Sequence, residues 1–283
     1  MKTPNANGHG WIQPPRFPLP AICGTIERRL LINFSCEPEV LARRLPPPFR
    51  PKLVNGRGLA GICLIRLGGI RPAGLPAWSG LSSENAAHRI AVEWNENGVT
   101  REGVYVPRRD TNAWVNRLLG GRLFPGIHQA ATFDVSETST RFQVQVRDQA
   151  GQALVRVTAR VTTEWPAASV FATPLAAENF FRARAAGWSA SPVVGAFDGI
   201  ELHCHQWTLE TLSLEQVASS FFADPQRFPP GTATFDSAFL MRNLPHEWHA
   251  CGRLTPGIRS GLPAPRPTLA RRPHLHHAFL ELP

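Results

Sequence analysis

Residues 103–111, GVYVPRRDT, set an apolar strand against Arg108, Arg109 and Asp110. Upstream stands Glu84-Asn85-Ala86-Ala87-His88-Arg89, and downstream Gly126-Ile127-His128. If the three segments pair, a carboxylate, guanidinium groups and an imidazole meet in one place. A guanidinium keeps its proton at any pH a protein survives, its pKa lying above ~12, and its planar fork matches a carboxylate with two hydrogen bonds. Arg108 or Arg109, turned into a pocket, is therefore expected to hold a small organic acid. Neighbours on a regular strand point to opposite faces, so one of the pair faces inward unless the chain bends after Pro107. Glu84 and His128 can move a proton beside such a ligand, which is general acid-base chemistry. Asn85 and Arg89 accompany Glu84, and the hydroxyl of Tyr105, the sole tyrosine, can orient a carbonyl oxygen.

Each of these residues also has a plainer reading. Glu84 can cap a strand or pair with Arg89, and Arg108 and Arg109 can serve as partners of Asp110 and Glu102. A strand tyrosine is commonly core, and a lone histidine is commonly just hydrogen-bonded. For metal, His203-Cys204-His205 puts two imidazoles on one strand face, and His246-Glu247-Trp248-His249 lacks the i, i+4 spacing of a zinc-protease helix. Neither pair makes a site. Gly68-Gly69 and Gly120-Gly121 stand in no phosphate-loop frame, so neither metal nor cofactor is expected.

The run Arg101-Glu102-Gly103-Val104-Tyr105-Val106-Pro107-Arg108-Arg109, with Glu84 some twenty residues before it, resembles the active-site region of the acetoacetate decarboxylase-like superfamily. In that superfamily a Gly-Tyr-Pro-Lys-Lys segment supplies the catalytic lysine. The wider likeness, from about residue 30 to 248, is to an uncharacterised bacterial family within it. The resemblance implies a cone-shaped β-barrel with an interior pocket and places Glu84 where the decarboxylases keep a pocket glutamate. Both lysine positions are arginine here, and an arginine cannot form a Schiff base. The lysines of the chain are Lys2, in a Pro-rich segment, and Lys52, beside Pro51. Schiff-base decarboxylase activity is therefore not expected. If the protein is an enzyme, the resemblance and the residues together point to imine-independent lyase or isomerase chemistry. A non-catalytic binding or sensor domain in the same fold is the alternative.

The elements that must position these residues read mainly as strands. Apolar runs or period-two alternation predict strands over 30–34, 59–67, 87–93, 99–107, 141–147, 154–165, 200–212 and 232–241. Asn95-Glu96-Asn97-Gly98 and Asp148-Gln149-Ala150-Gly151 predict hairpin turns. Short helices are expected over 37–45, from Asp110 or Thr111 to Leu119, over 173–187 with a Glu178–Arg182 surface pair, and from a capping box at Ser213-Leu214-Glu215-Gln216 to about Ala223. The fold class is α+β, mainly β: an antiparallel barrel or double sheet with a few short helices. It is expected to be one domain over 21–251, between a Pro-rich arm (1–20) and a basic Pro/Arg/His-rich tail (252–283) that is read as disordered.

The net charge of +9 over 283 residues raises nucleic acid as a partner. Much of it is terminal: 252–283 carries five arginines against one glutamate. The body keeps the modest charge of an ordinary soluble domain, so nucleic acid is not the expected partner and remains only a third reading through the tail. Five widely spaced cysteines without C-x-x-C suggest free thiols in a reducing compartment. No run of ~18 apolar residues and no signal-peptide layout is present, so a cytoplasmic protein that does not engage a membrane is expected. A homo-oligomer stays open.

Overall fold

The computed structural model describes residues 11–13, 20–113, 126–204 and 206–256. The first part of the chain runs β1 (Trp11–Gln13), β2 (Ile22–Cys36), α1 (Pro38–Ala42), β3 (Arg50–Pro51), β4 (Leu53–Val54), β5 (Arg57–Pro72), β6 (Leu81–Glu96) and β7 (Val99–Thr111). After β8 (His128–Glu137), β9 (Arg141–Asp148) and β10 (Ala153–Val161) come α2 (Pro174–Arg182), β11 (Ala186–Ala190), β12 (Phe197–Cys204), β13 (Glu210–Ser219) and β14 (Ala233–Thr255). The architecture is mainly β with few short helices, as the sequence indicates.

The strand pairings close two rings. One runs β7–β8–β9–β10–β13–β14–β2–β5–β6 and back to β7, and the other β7–β11–β12–β14–β2–β5–β6 and back. The strands β14, β2, β5, β6 and β7 are common to both, a wall with one face toward each ring. On one face Leu30, Ile32, Ile62, Leu64 and Ile90 pack with Val144, Val157 and Leu240. On the other, Ile26, Leu31, Ile65 and Leu67 pack with Phe180 and Phe181 of α2 and with Leu202. A wall covered on both sides explains why β2 and β5 read as continuous apolar runs. The sheet is not wholly antiparallel: β7 pairs in parallel with β11 at Val104 and Tyr105, and with β8 at Arg109 to Thr111.

The 95–98 hairpin forms, with Asn97 and Gly98 at φ of 52° and 83° as a tight primed turn requires. Thr173 caps α2 by accepting from the Ala176 N–H at 3.1 Å, a cap of about 1 kcal/mol. That helix stops at Arg182, and Glu178 accepts from the Leu209 N–H at 3.2 Å.

The expected helix after 213 is instead the strand β13, which pairs with β10 from Ser219 to Leu212. The register slips so that Glu215 is left out of the ladder, where its carboxylate takes Arg141 and Arg160 at 2.8 and 2.9 Å. Tertiary pairing has overridden a local capping signal. Trp11–Gln13 (β1) pairs with Arg253–Thr255, the end of β14, so part of each expected terminal segment is in the sheet. The expected helix to Leu119 lies largely outside the described residues, as do His205 and residues 257–283.

Candidate functional site

The residues expected to share a pocket are dealt out by strand alternation and one bulge. On β6, Asn85, Ala87 and Arg89 take one face of the wall, and Glu84, Ala86 and His88 take the other. Between β6 and β7 the register passes from His88 opposite Arg108 to Ile90 opposite Tyr105, so β7 spends one residue more than β6. This bulge falls at Val106-Pro107, where proline has no N–H to give the ladder. Arg109 and Val104 therefore share the face of Ala87, while Arg108 and Tyr105 share the face of His88.

Arg109, Arg89, Asn85 and His128 line a cavity of about 350 Å³ within the smaller ring, and every strand of that ring contributes to its wall. Its other walls are largely apolar, with Ile65, Leu67, Val104, Ile200, Leu202 and Trp248. Arg29 and Cys63, which the sequence reading did not single out, also line it. Cys63, Ala87, Arg109 and His128 form one cross-strand row over β5, β6, β7 and β8. The small Ala87 keeps the middle of that row open. Gly126 sets the entry to His128: its φ is 86°, and a Cβ there would lie 2.7 Å from Cβ of Ser189. Only glycine meets both demands.

Arg109 donates from Nε to Oγ of Ser189 at 3.2 Å. Arg89 donates from Nη2 to Oδ1 of Asn33 at 2.5 Å and lies over the ring of Phe181. Arg29 donates from Nε to Sγ of Cys63 at 3.3 Å and from Nη1 to the Met241 sulfur at 3.8 Å. Among the described residues, none of these three guanidiniums has a carboxylate partner, whereas Arg28, Arg50, Arg57, Arg66 and Arg108 each do. Burial pushes Arg89 and Arg109 each down to about 10, with Arg29 adding to the effect at Arg89. Both stay cationic near neutral pH.

The structure separates the other candidates from the cavity. Glu84 closes a ring of alternating charge with Arg28 (2.5 Å), Arg66 (2.6 Å) and Glu137, which accepts from the same two arginines at 2.7 and 2.5 Å. Arg108 turns back onto Asp110, with Nε and Nη2 both 2.9 Å from its carboxylate oxygens. Tyr105 packs against Phe49 and Phe197, and burial raises its pKa. Lys52 stands outside, 2.5 Å from Glu102 and 3.2 Å from Glu93, and the Glu102 hydrogen bond raises its pKa.

Burial lowers His128 to about 4, helped by the charge of Arg109, so its imidazole is neutral near pH 7. The buried His88 and His246 are lowered to about 3 and about 4 for the same primary reason. The unfolded chain therefore binds more protons below the ordinary histidine pKa of ~6.5, and stability is complete above that value and lost as pH falls toward 4. At pH 5 the loss is roughly 2 kcal/mol for each of His88 and His246. Urea midpoints at pH 7.5 and 5.0 are expected to show this drop; equal midpoints contradict it. His203 and His249 lie with their rings 4.4 Å apart and tilted at 54° on β12 and β14, each held by a glutamate. Among the described residues no group of three or more His, Cys, Asp or Glu side chains can hold a metal, and no helix is long and apolar enough to cross a membrane.

Solved structures share this fold at low identity. Acetoacetate decarboxylase from Legionella pneumophila subsp. pneumophila str. Philadelphia 1 aligns with a TM-score of 0.54 and 14% identity, covering 90% of this chain and 92% of its own. An acetoacetate decarboxylase-like enzyme from Sphingomonas wittichii RW1 gives 0.52 and 13%, over 85% and 93%. The enduracididine biosynthesis enzyme MppR, complexed with pyruvate, gives 0.52 and 13%, over 86% and 90%. No curated protein matches. A family model described as an uncharacterized conserved protein matches residues 25–237, which take in most of β2, all of β5, β6 and β7, the start of β14 and the cavity's arginines. The ringed β architecture is thus the fold that acetoacetate decarboxylase has, and the chain belongs to the DUF2071 family.

Proposed function

We propose that this protein binds a small organic acid in the smaller ring, its carboxylate held by Arg109 with Arg89 and Arg29, and that it does not work through a Schiff base. The observation that carries this is the set of cavity guanidiniums, those of Arg29, Arg71, Arg89 and Arg109, with no carboxylate partner among the described residues. An uncompensated buried charge is costly, and an anionic ligand offsets that cost. The cavity volume of about 350 Å³ lies at the small end of ligand pockets, and its apolar walls suit the carbon skeleton of an acid. The pyruvate complex of MppR, in the same fold, agrees with an acid of this kind.

With Glu84 engaged by two arginines, the proton-moving role falls to His128, whose neutral imidazole can accept a proton while a guanidinium stabilises an enolate. The non-catalytic binding or sensor reading is favoured by one observation: the His128 imidazole titrates far below neutrality. Five free cysteines suit a reducing, cytoplasmic setting.

Borohydride reduction in the presence of pyruvate tests the imine claim. Intact mass is expected to stay unchanged. A reduced pyruvyl adduct on Lys52 overturns it, since that would require Lys52 to leave Glu93 and Glu102.

A further inference from the structure

We infer that Cys63 is a nucleophile of the cavity, a thiol placed to add reversibly to the electrophilic carbonyl carbon of a bound oxo acid. The inference rests on the anion-pocket reading and gives that pocket a covalent step of its own. Cys63 lines the cavity at the centre of the wall, in the same cross-strand row as Arg109 and His128. Only Ala87 separates it from Arg109, which puts the two Cα atoms about 10 Å apart at the spacing of adjacent strands. That gap accommodates a short acid with its carboxylate on the guanidinium and its carbonyl carbon toward the sulfur.

Two further observations point to a ligand at this thiol. Arg29 directs its Nε–H at the sulfur from 3.3 Å. Arg89 is 6% exposed, lines the same cavity, and has no hydrogen-bond partner for its Nε–H. The cationic neighbours gather anionic reagents around the sulfur. In the proposed step the sulfur–carbon bond forms as the carbonyl π bond opens. The thiol proton ends on the former carbonyl oxygen, giving a thiohemiketal with no leaving group and no change of oxidation state. An arginine can hold the oxygen while it carries negative charge.

Paired alkylation of the native protein with iodoacetate and iodoacetamide, read by peptide mass spectrometry at Cys63 and referred to glutathione, tests this. The rate ratio of the anionic to the neutral reagent at Cys63 is expected to exceed that of glutathione by at least about tenfold. Pyruvate is expected to slow the reaction, and Arg109→Gln to lower the ratio. If both reagents modify Cys63 at glutathione's ratio, the guanidiniums do not gather anions, and the anion-pocket reading fails with the inference. If Cys63 resists both reagents while organic acids still raise the melting temperature, the thiol inference alone is overturned.

Discussion

Glu84→Ala is expected to destabilise the protein by about 3 kcal/mol or more while leaving organic-acid binding intact. The side chain of Arg28 is only 3% exposed, and that of Glu84 11%. Removing the carboxylate leaves Arg28 and Arg66 sharing the carboxylate of Glu137, with Glu27 acting on Arg66. Breaking a buried pair on one side costs far more than the pair contributes, because the partner keeps its desolvation penalty. A compensating Arg28→Met/Glu84→Leu double variant is expected to recover part of the loss, with urea denaturation as the measurement. Loss of ligand-induced stabilisation in a folded Glu84→Ala protein contradicts this placement and returns the glutamate to the pocket.

The separation of Glu84 from Asn85 and Arg89 was legible in the sequence. Alternation along a strand cannot send Glu84 and Asn85 to the same face, so a site using both required an irregularity in β6. The strands of the shared wall were legible too, since runs like LLINF bury on both sides. Arg28 and Arg29 inside the apolar run ERRLLINF were an unused signal: two charges within a buried strand need either a counter-charge or a ligand. The structure supplies Glu84 and Glu137 for the first and a cavity for the second. The bulge at Val106-Pro107 was only hinted at by its proline, and no local rule fixes which residue it leaves unpaired. The slip at Glu215 was hidden for a different reason: Ser213 to Gln216 satisfies a capping box locally, and only the cross-strand arginines of β9 and β10 decide otherwise.

Arg109→Met is expected to raise the stability of the ligand-free protein by on the order of 1 kcal/mol and to abolish acid binding. Among the described residues its guanidinium hydrogen-bonds only Ser189, and burial already pulls it down to about 10. Replacing it with an apolar chain of similar length removes a desolvated charge and retains packing beside Val104 and Gly187. A gain in the empty state joined to a loss in the liganded state is the signature of a residue kept for its ligand.

Calorimetric titration of the wild-type protein with an oxo acid and with its primary amide measures the cationic character of the cavity directly. The acid is expected to bind at least about 100-fold more tightly than the amide, and Arg109→Met to erase the difference. Equal affinity of acid and amide in the wild-type protein contradicts an anion-binding cavity.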